Sequence, residues 1–440
     1  MNLKSSVAIG LAIAGIGISA GPAHSQLAGK GLIHPVNNFP VWFSDSKGVA
    51  LQLCLDGNGS DGECFFDPPI AGNALSQATG FGAEAFWWAA DAKIAMPSGN
   101  ALLVLALEAA YGGGDPKPND EFAFGRVRLR IDTPVAGQYK VWHPYLNEAN
   151  GCLPEVFQAD SGGRAINITR DIGGGTPFDT MLKGEIGPFL TWDPAVAPQA
   201  PLGYVGSPLV EHPVVGGHCN INYFRVEAPV GVNLDGAGNN FVETKLFTVQ
   251  GKILDEDNTP PAIEPSRATF LRSFNSSTGK FNASLNLWVN ATPTATVQVT
   301  GLAQATANGP MTNDGTGSFY RRVPLNAVNS ASLPPQVTIK ATSTGGLTTT
   351  RKVDLTDTVD ITSAVWKSGS LTVVATSSDK ILTSVGPAPT LSLRLRGKSF
   401  PMVQTAAGRY AVTLTNMLVP PPGVAVSSSE GGSDTQQIAD

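Results

Sequence analysis

A short acidic run closed by two prolines, Leu254-Asp255-Glu256-Asp257-Asn258-Thr259-Pro260-Pro261, separates two stretches of different chemistry. Proline locks its own backbone in an extended setting and pushes the residue before it out of the helical region. No helix or central strand can therefore run through the join. All four cysteines and five of the seven tryptophans lie upstream; downstream the chain is rich in Ser, Thr and Val and has no cysteine. The 440 residues allow about three domains at roughly 100–200 residues each. The run thus reads as a linker, 255–261, between separately folded parts.

Charged residues make up 15% of the chain, against about 25% in ordinary domains, while Gly (49) and Pro (33) are abundant. Few charges, many turn-formers and many β-branched residues predict short strands joined by tight turns. A net charge of −6 over this length is mild. With no basic stripe to neutralise phosphates, nucleic-acid binding is not expected. In Arg126 to Ile131, Val127, Leu129 and Ile131 alternate with three arginines, the pattern of a half-buried strand whose basic face meets acids on a neighbour. Leu102 to Tyr111, set between Gly99-Asn100 and Gly112-Gly113-Gly114, reads as a strand despite its helical composition.

Met1-Asn2-Leu3-Lys4, the apolar run Val7 to Ala20 and the small residues Ala23-His24-Ser25 form a signal-peptide pattern, with cleavage expected after Ser25. No later stretch reaches about 18 apolar residues, so no membrane span is expected. No cysteine follows the cleavage point, which disfavours a lipoprotein. The expectation is an exported protein, periplasmic or extracellular. In an oxidising compartment the four cysteines pair. Three pairings are open; Cys54–Cys64, stapling a polar loop, with Cys152–Cys219, closing a long one, is favoured.

Several groups qualify as candidate chemistry. Asp56, Asn58 and Ser60 have the alternate spacing of a calcium loop, but Asp61 stands where that motif needs glycine, so a disulfide-closed turn is the plainer reading. Asp160-Ser161-Gly162-Gly163 and Gly217-His218-Cys219 look like fragments of a serine protease, in reversed order and without a nucleophile elbow. His143, His212 and His218, with Glu211 nearby, are suitable metal-ligand types at a spacing no motif uses. The adjacent pair Trp87-Trp88 points to opposite faces if it lies in a regular strand, so one ring is the best candidate for ligand contact. Asp255, Asp257 and Asn258 are the candidate calcium ligands, and no other cofactor is implied.

The blocks Phe39-Pro40-Val41-Trp42, Val141-Trp142-His143-Pro144-Tyr145 and Leu182 to Ile253 resemble an N-terminal module of uncharacterised exported bacterial multidomain β proteins, a family with no assigned activity. The resemblance covers about half the chain and implies domain organisation only. Downstream, Gly317-Ser318-Phe319-Tyr320 with Pro334-Pro335 and Gly345-Gly346 repeats as Gly408-Arg409-Tyr410 with Pro421-Pro422 and Gly431-Gly432. Each copy is similar to bacterial immunoglobulin-like or fibronectin III-like sandwiches, with Trp366 taking the place of Phe270 as core anchor. The acidic join resembles the calcium-binding linkers between cadherin repeats.

The resulting expectation is a mostly β protein. A signal peptide (1–25) precedes an N-terminal disulfide-bearing β-rich domain (26–254), the linker (255–261) and two immunoglobulin-like sandwiches (262–357 and 358–440). No nucleophile–base pair, metal spacing or phosphate cradle stands out. A non-catalytic binding or structural role is therefore expected, with the N-terminal domain presenting a surface to an extracellular polymer, glycan or surface protein and the sandwiches as spacer. A carbohydrate-active hydrolase drawing carboxylates from Glu84, Glu108, Glu185 and Asp193 is one alternative. A calcium-dependent adhesin is the other.

Overall fold

A computed structural model describes residues 27–34, 36–57, 62–146, 151–328 and 333–438. The expected signal segment, Met1–Ser25, lies outside the described residues, as do Asn58, Ser60 and Asp61. The chain is mostly β, as its composition predicted. It packs as two compact units: the described residues up to Gly29 with Phe43–Ile253, and Lys30–Trp42 with Leu254–Asp440.

In the first unit, β1 (Glu84–Met96), β2 (Gly99–Tyr111), β3 (Glu121–Thr133), β4 (Gly162–Gly174) and β5 (Leu246–Ile253) form an antiparallel sheet in the order β5-β1-β2-β3-β4. The Leu102 to Tyr111 run falls in β2, its glycines closing the strand. Alternation along β3 holds: Val127, Leu129 and Ile131 are buried and the arginines between them reach the other face. A second sheet pairs Phe241–Thr244, Phe224–Glu227, Gly137–Trp142 and Glu155–Ala159 in that order.

Alternation fails at one informative point. The register of β1 against β2 slips between Phe86 and Trp88, a bulge that inserts an extra residue. Two successive side chains then fall on the same side, and Trp87 and Trp88 are both fully buried. Trp87 meets Phe43 edge-on at 4.8 Å, while Trp88 packs near Tyr145 and Phe189 and donates its indole N–H to the Leu190 carbonyl at 3.0 Å. The ring expected to be exposed is core.

The buried Asp45 carboxylate organises the neighbouring turn. One oxygen accepts from the amides of Lys47 and Val49, both at 2.9 Å, and the other from Phe189 at 2.8 Å. Disulfides join Cys54 to Cys64 and Cys152 to Cys219, with Cα–Cα distances of 5.4 and 6.3 Å. This is the favoured pairing, and such bonds belong to an oxidising, non-cytoplasmic compartment.

The second unit contains two β-sandwiches. In the first, Thr312–Asn313, β8 (Ser318–Val328), β7 (Lys280–Ala291), β6 (Ile263–Asn275) and Thr356–Asp357 make one sheet; Gly309–Pro310, Thr296–Thr300, Gln336–Thr342 and Thr348–Asp354 make its partner. Leu285, Leu287 and Val289 on the first sheet close on Val297, Val299, Val337 and Ile339 of the second. The other sandwich pairs four strands led by Val359–Lys367 with four led by Lys398–Pro401, around Val373, Leu393 and Val426. The repeat carries core anchors: Phe319 and Tyr410, each two residues after its glycine, are both buried. Trp366 is not Phe270's equal. Phe270 is buried in its core, whereas Trp366 packs only at the margin of the other, donating to the Met417 carbonyl at 3.0 Å.

The two sandwiches are joined by a buried ion pair, Arg272 with Asp379. Arg272 Nε lies 3.2 Å from one carboxylate oxygen and Nη2 bonds the other. Backbone bonds from Arg272 N to the Ser378 carbonyl (3.1 Å) and from Lys380 N to the Arg272 carbonyl (2.8 Å) flank the pair.

Two stability predictions follow from these links. In the chain-entropy picture, losing the long Cys152–Cys219 loop closure costs roughly 4 kcal/mol and the short Cys54–Cys64 closure roughly 3 kcal/mol. Urea titration of the Cys152→Ser/Cys219→Ser and Cys54→Ser/Cys64→Ser variants should show the long-loop variant as the weaker of the two. Asp379→Asn, which strands a buried guanidinium, should cost about 3–5 kcal/mol in the transition of the second unit. A loss below about 1 kcal/mol would show that the backbone bonds alone hold the joint.

Candidate functional site

Several charged residues of the first unit are paired with one another. Arg126 grips Asp171 across β3 and β4 with two bonds of 2.8 Å and touches Glu108 at 3.1 Å. Of the three arginines of β3, Arg126 thus meets acids on neighbouring strands, while Arg128 bonds the Thr169 hydroxyl at 3.3 Å. Glu108 is almost fully buried, and burial pushes its carboxyl up to about 8; Arg126 opposes the rise, while Glu84 and Asp171 add to it. Glu155 is the opposite case. Burial works to raise it, but His143 (3.2 Å) and Arg170 (2.7 Å) outweigh that and hold it at about 2. Arg170 also takes Glu185 at 3.0 Å. Asp193 caps its own turn, accepting from Ala195 N at 2.9 Å. The carboxylates proposed for a hydrolase therefore have other structural neighbours: Glu108 has Arg126, Glu185 has Arg170, and Asp193 has its turn.

The histidines are dispersed likewise. His143 is tied to Glu155, His218 is buried against Tyr145 and the Leu146 carbonyl (3.3 Å), and His212 stacks on Trp192 at 4.3 Å. Ser161 is exposed just before β4, and the contacts of His218 do not include it. Among the described residues no group of three His, Cys, Asp or Glu converges in a metal-holding arrangement. Asp56 gives one carboxylate oxygen to the Tyr204 hydroxyl (2.8 Å) and to Lys252. Burial, with that bond, pushes the Tyr204 hydroxyl up to about 12.

At the acidic join, each side chain has a protein partner. Asp255 accepts from the backbone (3.1 Å) and side-chain (2.9 Å) amides of Asn258. Thr344 donates to the Asp257 carboxylate and Ser343 to its carbonyl (2.9 Å), while Glu256 accepts from Thr294 at 2.9 Å. Asp255, Asp257 and Asn258 thus form a folded turn on the first sandwich, with Asn258 acting as donor.

The join also walls a cleft of about 380 Å³ within the second unit. Residues Gly31–Trp42 double back as a hairpin, with Gly31 N bonded to the Trp42 carbonyl (2.7 Å) and Val41 N to that of Leu32 (2.9 Å). Trp42 lies against Gly31 so closely that a Cβ there would come within 2.8 Å of the indole. Only glycine lets the ring settle at this depth. Val41, Pro260 and Ala262 add apolar wall; Asn290, Thr292 and Ser318 supply amide and hydroxyl groups. Sequence reading placed Trp42 among the front-half tryptophans without singling it out. A Gly31 eleven residues before an aromatic is too weak a signal, and the opposite wall comes from beyond residue 254.

No family model matches the chain, and no curated protein is similar to it. Among solved structures it has a likeness to a tetra-tandem repeat in the extending region of a large adhesion protein: 13% identity, 81% of this chain and 94% of that one covered, TM-score 0.15. Another is Tp47, the 47-kilodalton lipoprotein of Treponema pallidum: 10% identity, 69% and 87% covered, TM-score 0.17. At such scores neither likeness bears on fold or function.

The Glu108 carboxyl sets a pH dependence. Its ordinary value is 4.5 and its folded value about 8, so between the two the folded chain holds a proton that the unfolded chain has released. Stability from this group is complete below the ordinary value and is lost as pH rises toward the folded one. Glu108→Gln, neutral throughout, should lack that slope. Melting temperatures from about pH 5 to about pH 8 should fall more for the native protein than for the variant; parallel curves would refute the assignment.

Proposed function

We propose that this protein is a non-catalytic binding or structural protein acting outside the cytoplasm, and that the Trp42 cleft receives a sugar-bearing ligand. The observation that carries the reading is the seating of the indole on Gly31 as one wall of the cleft. An aromatic face with apolar neighbours offers a sugar ring its hydrophobic side. Rim amides and hydroxyls such as Asn290, Thr292 and Ser318 match the ring's hydroxyl groups. A concave site with an apolar floor and a few convergent polar groups is the usual form of a small-ligand site. In this reading the second sandwich is a spacer.

The test is a glycan-binding screen with the full chain, repeated with Trp42→Ala and Gly31→Ala. Trp42→Ala should weaken the best ligand by about tenfold or more, the loss of one stacked aromatic contact. Gly31→Ala, which drives a methyl into the indole, should weaken it in the same direction. Retention of full affinity by Trp42→Ala, or no glycan bound by the native chain, would remove the cleft as the site.

A further inference from the structure

We infer that the open face of the β6-β7-β8 sheet is a binding platform for an acidic polysaccharide, continuing the Trp42 cleft along the first sandwich. This rests on reading that cleft as a sugar site and adds the class of polymer. The face is built by alternation. Along β7, Leu285, Leu287 and Val289 point into the core, so Asn286, Trp288 and Asn290 point away from it. Along β8, Phe319 and Val323 point in, while Ser318, Tyr320 and Arg322 point out.

Register then sets these side chains in rows. Trp288 lies opposite Tyr320 on one side and Arg267 on the other; Asn290 pairs with Ser318, and Asn286 with Arg322. The Trp288 and Tyr320 rings are 5.2 Å apart at 42°, and the Arg267 guanidinium lies 5.2 Å from the indole centroid. Tyr320 is 38% exposed, unusual for a large aromatic that has no core to fill. Its hydroxyl is held by Asn286 at 2.9 Å, and Arg322 is steadied by the Ser284 hydroxyl at 3.0 Å. The repeat needs only Phe319 for its core, so neither the exposed Tyr320 nor the Trp288–Tyr320 pair is required for packing. Asn290 and Ser318 belong both to this face and to the cleft wall, which makes the two continuous. From the Asn286–Arg322 row to the Asn290–Ser318 row is four residues of strand, about 13 Å, long enough for more than one sugar ring.

Charge selects the polymer. Arg267 and Arg322 flank the aromatic pair, and neither has a carboxylate partner among the described residues. By contrast, Arg126, Arg170 and Arg225 each hold a carboxylate. A planar fork of donors beside a stacking surface suits a carboxylate carried on a sugar ring. The acid on this face, Glu264, stands in the Asn290 row, at the cleft end. An acidic chain would therefore lie with its carboxylates toward Arg267 and Arg322.

The experiment measures binding of the full chain to polygalacturonate and to a neutral β-glucan by affinity electrophoresis and calorimetry, in about 50 and about 200 mM salt. The native chain should bind polygalacturonate at least about tenfold more tightly, with affinity falling as salt rises. Trp288→Ala/Tyr320→Ala should cost about tenfold or more on that polymer. Arg267→Gln/Arg322→Gln should weaken only the acidic polymer and flatten its salt dependence. Arg267, Tyr320 and Arg322 are exposed and Trp288 is half-buried on the same face, so unchanged melting temperatures check that the variants fold. Full affinity of either double variant, no preference for the acidic polymer, or equal affinity for double-stranded DNA or anionic lipid vesicles would overturn the platform. If the platform variants bind normally while Trp42→Ala does not, the platform fails and the cleft stands. Loss in the platform variants with normal binding by Trp42→Ala sinks the cleft instead.

Discussion

Arg272 and Asp379 are an ion pair taken almost wholly out of water, and the second unit is arranged around satisfying it. Desolvating two charges costs several kcal/mol each unless their remaining hydrogen-bonding capacity is met. Here it is met by two guanidinium–carboxylate bonds, the Pro387 carbonyl and the Ile381 amide. The pair brings the C-terminal end of β6 onto the segment at 377–381, so two sandwiches that could each fold around their own core share one joint. The same strand carries Arg267 on its outward side. A locked end and a presented guanidinium thus belong to one rigid element, and a binding group gains by standing on one because little ordering remains to be done.

Elsewhere several charges are turned toward other charges. In the first unit Arg126, Arg170 and Arg225 each hold carboxylates, and two of the acids that look catalytic in one dimension, Glu108 and Glu185, have such partners in three. What remains toward solvent includes neutral donors, arginines without a carboxylate partner and aromatics the cores do not use. Trp42, Trp288 and Tyr320 are among those aromatics, and they lie on the hairpin and first sandwich of the second unit. The proposed role follows from this distribution of unused groups.

Much of the architecture was legible in one dimension because strand alternation is local. The arginine-bearing β3, the glycine-bounded β2, the two repeats and the cysteine pairing could all be read from residues close in sequence or from simple loop logic. The same rule misled at Trp87-Trp88, where a bulge against β2 placed both rings in the core. Bulges answer to the partner strand's register, which neighbouring residues do not encode. Trp366 shows the same limit: its place in the repeat pointed to a core anchor, yet its depth was decided by the strands around it. The acidic join was legible as a boundary, but its polar groups find Thr294, Ser343 and Thr344, 38 to 87 residues away.

By itself the amino-acid order determined that the chain would be β-rich, cysteine-paired and repeated at its C-terminal end, because periodicity, turn residues and spacing act between near neighbours. Tertiary structure alone decided which aromatics stay in contact with water, which carboxyl is pushed above its ordinary value, and that residues 31–42 meet 254–318 to form a cleft. Those outcomes depend on burial and on partners far along the chain. Desolvation and cross-strand register, which set both, exist only once the sheets have closed.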